Sequence, residues 1–223
     1  MHAADARAVE AHSFVAFPDM VATGLGDWVL RWEPQPWGRL RRRANSALAI
    51  GDPGMPIDTA LDRVVDFYRS RQRRVIVQVV ADSPIHRDLL GREWTPIRGA
   101  DSQVLVGSIA TAVARCAQVP SDHAPEPVVT GAADHVVVTL PVGSGAGALD
   151  DGWLYLHGLQ VDPEHRRAGL AHLIVREMLR WGAGRGAETV WLHVETGNRP
   201  ALRLYERLGL VPHHALRYLS PDA

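Results

Sequence analysis

The sequence of 223 residues contains no lysine and only one cysteine. All 24 basic residues are therefore arginines, which excludes a lysine nucleophile or a lysine Schiff base. The single cysteine, Cys116, excludes an internal disulfide and a cysteine-rich zinc site. Because no activating partner is evident nearby, we interpret Cys116 as a packed small residue. No apolar run approaches the roughly 20 residues needed to span a bilayer, so we expect no membrane partner.

Net charge is also nearly absent, since the formal value at pH 7 is -1. This balance predicts no bulk attraction to nucleic acid or to an anionic membrane. The basic run Arg39–Arg43 is interpreted as an exposed strand edge. Nucleic-acid binding through this run ranks last among the functions considered, because no aromatic residue interleaves with the arginines. The first twenty residues lack an apolar segment flanked by basic residues, so we expect a cytoplasmic protein without a secretory signal.

Hydrophobic periodicity predicts strands that alternate with amphipathic helices, as in the α/β class. The spacing predicts a helix over 57–71, a strand over 153–161 and a helix from Leu170 to about Gly184. Gly158 within the predicted strand indicates a bulge or a close backbone approach. The run "QVLVGSIATAVARCA", 103–117, reads as one long strand. The stretch "GSGAGALDDG", 143–152, reads as a flexible or hairpin segment.

The order of these elements occurs twice along the chain. "LAIGDPGMPIDTALDRVVDFYRS" is echoed by "LQVDPEHRRAGLAHLIVREMLRW", at an offset of roughly 110–116 residues, a period typical of whole domains. We therefore predict two domains, at residues 1–101 and 102–223. The first copy lacks the arginines that the second copy carries in its loop, so a site that depends on these arginines is expected only in the second domain.

The loop of the second copy contains the spacing Arg166-x-x-Gly169-x-Ala171 at the start of a predicted helix. The first turn of a helix leaves backbone N–H groups unpaired and carries partial positive charge. Gly169 and Ala171 let a ligand approach the backbone, and Arg166 and Arg167 add cations. A pyrophosphate would fit there. An ordinary solvated basic helix start is the alternative for this motif taken alone.

A second motif downstream decides between these interpretations. Asn198-x-x-Ala201-x-x-Leu204-Tyr205-Glu206-x-Leu208-Gly209-Leu210 follows the loop motif Val161-Asp162-Pro163 and Arg166–Ala171 in order and at a specific separation. Together they resemble the GNAT superfamily of acyl-CoA-dependent N-acyltransferases, over residues 103–223. The layout of the whole chain resembles a group often labelled N-acetylglutamate synthase-like, with residues 1–101 as a degenerate GNAT-like half. The resemblance implies an α/β GNAT fold with a mixed central sheet and helices on both faces.

The same resemblance implies acetyl-CoA as cosubstrate and no metal. Two parallel strands would part to admit the pantetheine arm, which would pair with the backbone near Leu159 and Val161. Asn198 would be a helix cap, a coenzyme contact or both. The residues expected to hold the pyrophosphate are Arg166, Arg167, Ala168, Gly169, Leu170 and Ala171.

Tyr205 matches the position of the family's general acid, which would donate its proton to the coenzyme sulfur; a core tyrosine is the alternative. His193 is the predicted general base, because an unperturbed histidine has a pKa of about 6.5 and can accept a proton at neutral pH. A hydrogen-bonded core histidine is its alternative. His157 and Glu195 are the other candidates, although we expect Glu195 on the opposite strand face from His193. A water-relayed base would need none of them.

The expected function is direct transfer of an acetyl group to a primary amine of a small molecule, an amino acid or a protein α-amine, without a covalent intermediate. The alternative is a non-catalytic acyl-CoA-binding sensor or assembly module. It is favoured by a short acceptor region, since "QVPSDHAPEP" replaces the two helices usual between the first two GNAT strands. The sequence leaves open whether the chain forms a homodimer.

Overall fold

A computed structural model describes residues 5–35, 41–118 and 125–222. The N-terminal elements are helix α1 (Ala6–Ala11), strands β1 (Val21–Leu25), β2 (Trp28–Trp32) and β3 (Ala47–Leu48), helix α2 (Ile57–Arg69), strand β4 (Val77–Val80), helix α3 (Pro84–Gly91) and strand β5 (Thr95–Pro96). The following elements are strand β6 (Ser102–Ser108), helix α4 (Ile109–Cys116), strands β7 (Val128–Gly131), β8 (His135–Leu140), β9 (Gly143–Asp150) and β10 (Trp153–Val161), helix α5 (Leu170–Ala183), strand β11 (Thr189–Glu195), helix α6 (Arg199–Arg207) and strand β12 (Val211–Ser220). Single 3₁₀ turns lie at Phe14–Ala16, Arg43–Asn45 and Pro163–His165.

The chain folds into two compact units that do not coincide with a simple division into two halves. The first unit runs up to Ser102 and resumes at His214, and the second unit comprises Gln103–His213. The last stretch lies with the first unit because Leu216–Leu219 of β12 pair antiparallel with residues 77–80 of β4. The domain division predicted at residues 101 and 102 assigns this strand to the second half.

The first unit is built on the strand order β1-β2-β3-β4-β12, in which β3 and β4 run parallel. Helix α2 buries Leu61, Val64 and Tyr68 in a core shared with Trp28 and Val77. These residues of α2 recur at helical spacing, so one stripe of the helix faces the sheet. The helix predicted over 57–71 is confirmed, with its end two residues earlier.

The second unit is built on the strand order β6-β11-β10-β9-β8-β7. Strands β10 and β11 are parallel, whereas β8, β9 and β10 form antiparallel pairs, so the sheet is mixed. Helix α5 packs Leu173, Ile174 and Met178 into a core with Leu154 and Leu192. The α/β class with a mixed sheet predicted from the sequence is confirmed.

The single long strand predicted over 103–117 is wrong. Strand β6 ends at Ser108, whose side-chain oxygen accepts a hydrogen bond from the Thr111 N–H and caps helix α4. Ile109, Ala112 and Cys116 are buried at helical spacing in the core that also holds residues of α5. The region between the first two strands of this unit therefore contains a helix, and it is less reduced than the sequence indicated; residues 119–124 lie outside the described part.

The segment 143–152, for which the sequence predicts a flexible or a hairpin structure, forms the regular strand β9 and the turn that joins it to β10 in an antiparallel hairpin. The hairpin alternative is therefore confirmed and the flexible one is wrong. A Cβ atom added at Gly145 would lie 2.8 Å from Ile174 Cγ2 and 3.1 Å from Met178 Cε, both on α5. A Cβ at Gly143 would lie 2.8 Å from the carbonyl oxygen of Gln160. The glycines thus permit close approach of the helix and of the neighbouring strand, and they do not loosen the backbone.

The basic run near residue 40 also differs from the predicted strand. Arg43–Asn45 form a 3₁₀ turn, and Arg39 with Leu40 lies outside the described residues. The guanidinium of Arg41 donates from Nε to the Glu33 carboxylate at 2.8 Å and lies over the Phe17 ring. The guanidinium of Arg42 lies 5.5 Å from the Tyr218 ring centroid. Two of these cations therefore contact groups of their own unit. No helix within the described residues combines the length and the apolarity needed to cross a membrane.

Candidate active site

The second unit contains a pair of parallel strands that part at their carboxyl ends. Strands β10 and β11 pair from Trp153↔Thr189 to Leu156↔Leu192, where their ladder ends. Strand β10 nevertheless continues to Val161, held on its other side by β9 through Gln160↔Ser144 and Val161↔Gly143. The two strands thus run parallel and then separate, which is the arrangement that the sequence predicts for a slot.

A β-bulge lies where β10 leaves its partner. The register between β10 and β9 shifts between His157 and Gln160, and Gly158 adopts a φ of +63°. Only glycine adopts this conformation at little cost. The extra residue resets the alternation of side chains, so that Leu159 and Val161 pack against the core that contains Leu156. The bulge predicted at Gly158 is confirmed.

The loop after β10 presents cations and a helix N-terminus to solvent. Residues 162–169 are all exposed, and Arg167 and Gly169 have φ values of +67° and +78°. Helix α5 begins at Leu170 with Gly169 as its N-cap, which offers no side-chain acceptor to the first turn. The first N–H groups of α5 have no acceptor within the helix, so they can bind an external anion.

Three features of this loop suit an anionic ligand. A Cβ atom at Gly169 would meet nothing within 4 Å, so the approach to the backbone is open. The first turn of α5 carries no acidic residue, although Glu164 lies in the preceding 3₁₀ turn. The Arg166 Nε also donates to the Val161 carbonyl at 3.3 Å, which ties this cation to the end of β10.

Helix α6 carries Tyr205, which is 6% exposed and lies in the core of the unit. The side chain of Asn198 accepts a hydrogen bond from the Ala201 N–H at 3.2 Å, which confirms its predicted role as helix cap. Burial, with a further contribution from Tyr155, raises the pKa of the Tyr205 hydroxyl. The phenol therefore keeps its proton at neutral pH, as a proton donor must.

His193 lies on β11 immediately beyond the last pair of the parallel ladder, and its side chain is half-buried. Its Nδ1 lies 3.1 Å from the hydroxyl of Tyr155 on β10. The ring of His157 stacks on the ring of Tyr155, with centroids 5.4 Å apart. His157 and His193 thus both stand where the two strands separate. Glu195, two residues further along the regular strand β11, lies on the same strand face as His193 and is exposed, so the expectation that it faces the opposite way is wrong.

Tyr155 is the residue of this site that the sequence interpretation missed. It is 1% exposed, contacts His193 directly and contributes to the raised pKa of Tyr205, so it interacts with both the predicted base and the predicted acid. The sequence did contain a signal for it: residues with aromatic or imidazole rings alternate at 153, 155 and 157 in one predicted strand and at 191 and 193 in the next. That pattern indicates one polar aromatic face across two neighbouring strands.

The structure leaves Cys116 outside this site. Its side chain is buried in the core, and burial raises the pKa of the thiol to about 11. The thiol is therefore protonated at neutral pH and is a poor nucleophile. The interpretation of Cys116 as a packed residue is confirmed.

Comparison with known proteins identifies relatives of the second unit. Residues 105–210 match the model described as the acetyltransferase (GNAT) family. A stretch of 58 residues is 50% identical to the mycothiol acetyltransferase of Mycobacteroides abscessus, covering 26% of this chain and 19% of that protein. A stretch of 61 residues is 36% identical to the ribosomal protein bS18-alanine N-acetyltransferase of Escherichia coli, covering 27% of this chain and 40% of that protein. The chain thus spans well under half the length of these curated relatives.

Solved structures resemble the chain over almost its whole length. A GCN5-related N-acetyltransferase from Kribbella flavida superposes with a TM-score of 0.74 at 19% identity, covering 98% of this chain and 96% of that one. A tandem GNAT protein from the clavulanic acid biosynthesis pathway superposes with a TM-score of 0.62 at 13% identity, covering 98% and 88%. At these identities the likeness concerns the fold.

Proposed function

The chain carries a domain of the GNAT acetyltransferase family at residues 105–210, and from this premise we propose that it transfers the acetyl group of acetyl-CoA to a primary amine. The observation that carries the proposal is the parting of β10 and β11 beyond Leu156↔Leu192, directly beside an exposed cationic loop at a helix N-terminus. A slot that ends in an anion site suits a long cosubstrate with a pyrophosphate at one end.

We assign coenzyme binding to two groups of residues. The backbone of Leu159 and Val161 lies on the part of β10 that β11 does not pair, where an extended arm can hydrogen-bond. The N–H groups of residues 167–171 and the side chains of Arg166 and Arg167 suit the pyrophosphate. When bound, acetyl-CoA supplies a thioester, an activated acyl group that an amine can attack.

Proton transfer is assigned to His193 and Tyr205. His193 lies at the point where the strands separate and accepts the proton of the attacking amine. Tyr205 is buried and neutral, and it donates its proton to the departing sulfur. With one group to accept and one to donate, transfer is direct and needs no covalent enzyme intermediate.

The acceptor is proposed only as a class, a primary amine of a small molecule, an amino acid or a protein N-terminus. The two curated relatives are named for mycothiol and for the alanine of a ribosomal protein, which represent a small-molecule and a protein acceptor. The layout of the whole chain resembles the N-acetylglutamate synthase-like group, which adds glutamate to the amines to be tested. The first unit is proposed to be a degenerate GNAT-like lobe, because β3, α2, β4 and α3 repeat the order of β10, α5, β11 and α6.

The proposal is tested by calorimetric titration with acetyl-CoA and by thiol release with a panel of amines that includes glutamate, other amino acids, amino sugars and peptides that begin with alanine. We expect micromolar binding and turnover with at least one amine class, at a typical median rate of about 10 per second. Failure to bind acetyl-CoA would refute the proposal. Binding without turnover on any amine, and without effect of Tyr205→Phe, would instead support the acyl-CoA sensor.

A further inference from the structure

The imidazole of His193, the proposed base, has a hydrogen-bond partner whose geometry is defined. Its Nδ1 lies 3.1 Å from the Oη of Tyr155, and the two rings meet edge to face with centroids 5.5 Å apart. Tyr155 stands opposite Trp191 in the parallel ladder, one pair before its end. Tyr155 therefore belongs to the part of β10 that is paired with β11, whereas His193 lies on β11 just beyond the last pair.

Ring contacts fix the position of the Tyr155 hydroxyl. The Tyr155 ring lies 4.5 Å from the Trp191 ring and 5.4 Å from the His157 ring, centroid to centroid. Its side chain is 1% exposed. A buried ring held by neighbours on two strands has little freedom to rotate, so its hydroxyl is a fixed point for hydrogen bonding.

The direction of this hydrogen bond decides what the imidazole can do. A neutral imidazole has one nitrogen that donates and one that accepts. If the Tyr155 hydroxyl donated to Nδ1, the proton of His193 would sit on Nε2, and Nε2 could not take a second proton from an amine. If Nδ1–H donates to Oη, Nε2 carries the lone pair that a general base needs.

We propose that Tyr155 is a positioning residue: its hydroxyl accepts a hydrogen bond from the Nδ1–H of His193 and so keeps the basic lone pair on Nε2. The inference rests on the proposed function. As the amine nitrogen bonds to the acyl carbon and the carbon–sulfur bond breaks, the amine proton passes to Nε2 of His193 and the hydroxyl proton of Tyr205 passes to the sulfur. The imidazolium formed then donates a charge-assisted hydrogen bond to Tyr155, which is stronger than the neutral one.

Among the described residues, the titratable groups near this pair include members of β10, α6 and β11. His157 stacks on Tyr155 from the same strand, Tyr205 interacts with Tyr155 from α6, and Glu195 follows His193 on β11. Burial keeps Tyr205 protonated, so it adds no charge near neutral pH. His157 is the other titratable ring beside Tyr155. Any change in the pH dependence of kcat/KM in Tyr155→Phe is therefore compared with the same measurement in His157→Gln.

The first test reads the tautomer without any turnover. Long-range ¹H–¹⁵N NMR distinguishes protonated from unprotonated imidazole nitrogens, and the signals of His193 are assigned by their loss in His193→Gln. We expect a protonated Nδ1 and an unprotonated Nε2 in the wild-type protein, and a mixture of tautomers in Tyr155→Phe. The matched control is Tyr68→Phe, which removes another buried hydroxyl, in the first unit, and should leave the signals of His193 unchanged. An unprotonated Nδ1 in the wild-type protein would overturn the proposal.

The second test is a double-mutant cycle. We expect Tyr155→Phe to lower kcat/KM for the amine roughly tenfold, the scale of one lost charge-assisted hydrogen bond, with unchanged affinity for acetyl-CoA. In a His193→Ala background the same change should have no further effect, whereas in a Tyr205→Phe background it should retain its full effect. Equal losses in wild-type and His193→Ala backgrounds would show that Tyr155 does not act through His193.

The two tests separate this inference from the proposed function. If the wild-type protein turned over no amine, the proposed function would fail while the NMR result still decided the tautomer. If it turned over an amine but Nδ1 were unprotonated, the proposed function would stand and the role of Tyr155 would be refuted.

Discussion

At the scale of single residues, Tyr205 shows how burial keeps a phenol protonated. The hydroxyl belongs to a core residue of α6, and both burial and the nearby Tyr155 raise its pKa. A phenol titrates near pH 10 when it is exposed. Because the folded pKa is higher than the unfolded one, the group stabilises the fold below about pH 10 and this contribution is lost as the pH rises further.

We therefore expect Tyr205→Phe to lower kcat about a hundredfold, as is usual for loss of a general acid, without weakening acetyl-CoA binding. In the wild-type protein, deprotonation of the Tyr205 hydroxyl should not lower kcat below about pH 10. Stopped-flow or steady-state pH profiles measure both effects, with Tyr68→Phe as the matched buried variant. A hundredfold loss of acetyl-CoA affinity in Tyr205→Phe would assign the hydroxyl to binding and not to proton transfer.

At the scale of elements, the loop between β10 and α5 combines an open backbone with two arginines. Arg166 is anchored to the Val161 carbonyl, whereas Arg167 adopts a left-handed φ of +67° in an exposed loop. A charge-assisted hydrogen bond contributes about 1.5–3 kcal/mol, which is roughly a tenfold to hundredfold effect on affinity. Loss of either cation should therefore affect coenzyme binding more than it affects the fold.

We expect Arg166→Ala and Arg167→Ala each to raise the Kd for acetyl-CoA about tenfold, with a smaller dependence of binding on salt than in the wild-type protein. Titration calorimetry at two ionic strengths measures both effects. The control is Arg63→Ala on the exposed side of α2 in the first unit. Unchanged affinity in both loop variants would contradict the assignment of the pyrophosphate to this loop.

Elements with strong end signals could be predicted from the sequence. Asn198 and Pro200 mark the start of α6, Gly169 marks the start of α5, and Gly158 marks the bulge, because each residue type satisfies a specific backbone requirement. These are local properties, which a single sequence displays.

Elements defined by packing could not be predicted in the same way. Helix α4 lies in an apolar run that fits a buried strand equally well, and only its burial beside α5 decides for a helix. Strand β9 consists largely of glycine and alanine because α5 approaches closely, a requirement that becomes visible only once the helix is in place. Tyr155 was missed for a similar reason, since its partner His193 is 38 residues away in the sequence.

At the scale of the whole molecule, the loops of the two units have different contacts. In the first unit, the Asp27 N–H donates to the Asp52 carbonyl at 2.7 Å, and the Asp52 N–H donates to the Asp27 carboxylate at 2.9 Å. A Cβ atom at Gly26 would lie 2.3 Å from the backbone of Pro53, so the turn and the loop are in close contact. This loop also carries two prolines, which donate no N–H, and an acidic residue, Asp58, lies in the first turn of α2. Such a loop does not suit a pyrophosphate.

We therefore expect one molecule of acetyl-CoA per chain. Gly169→Glu should abolish binding, because its carboxylate would stand beside the helix N-terminus to which we assign the pyrophosphate. The matched control is Gly54→Glu, which makes the same change at a positive φ in the loop of the first unit and should leave binding unchanged. Calorimetric stoichiometry and thermal melting of each variant measure the outcome. Two molecules per chain, or residual binding in Gly169→Glu, would contradict a single site.

The return of the last strand to the first unit has a consequence for how the protein is made. Strand β4 pairs with residues 216–219, which leave the ribosome only after the whole second unit has been synthesised. The second unit is continuous in sequence and can fold as it emerges. The first unit, although translated first, completes its sheet last. Between these events the edge of β4 that later pairs with β12 is open to other partners, so chaperone binding to nascent chains should concentrate there.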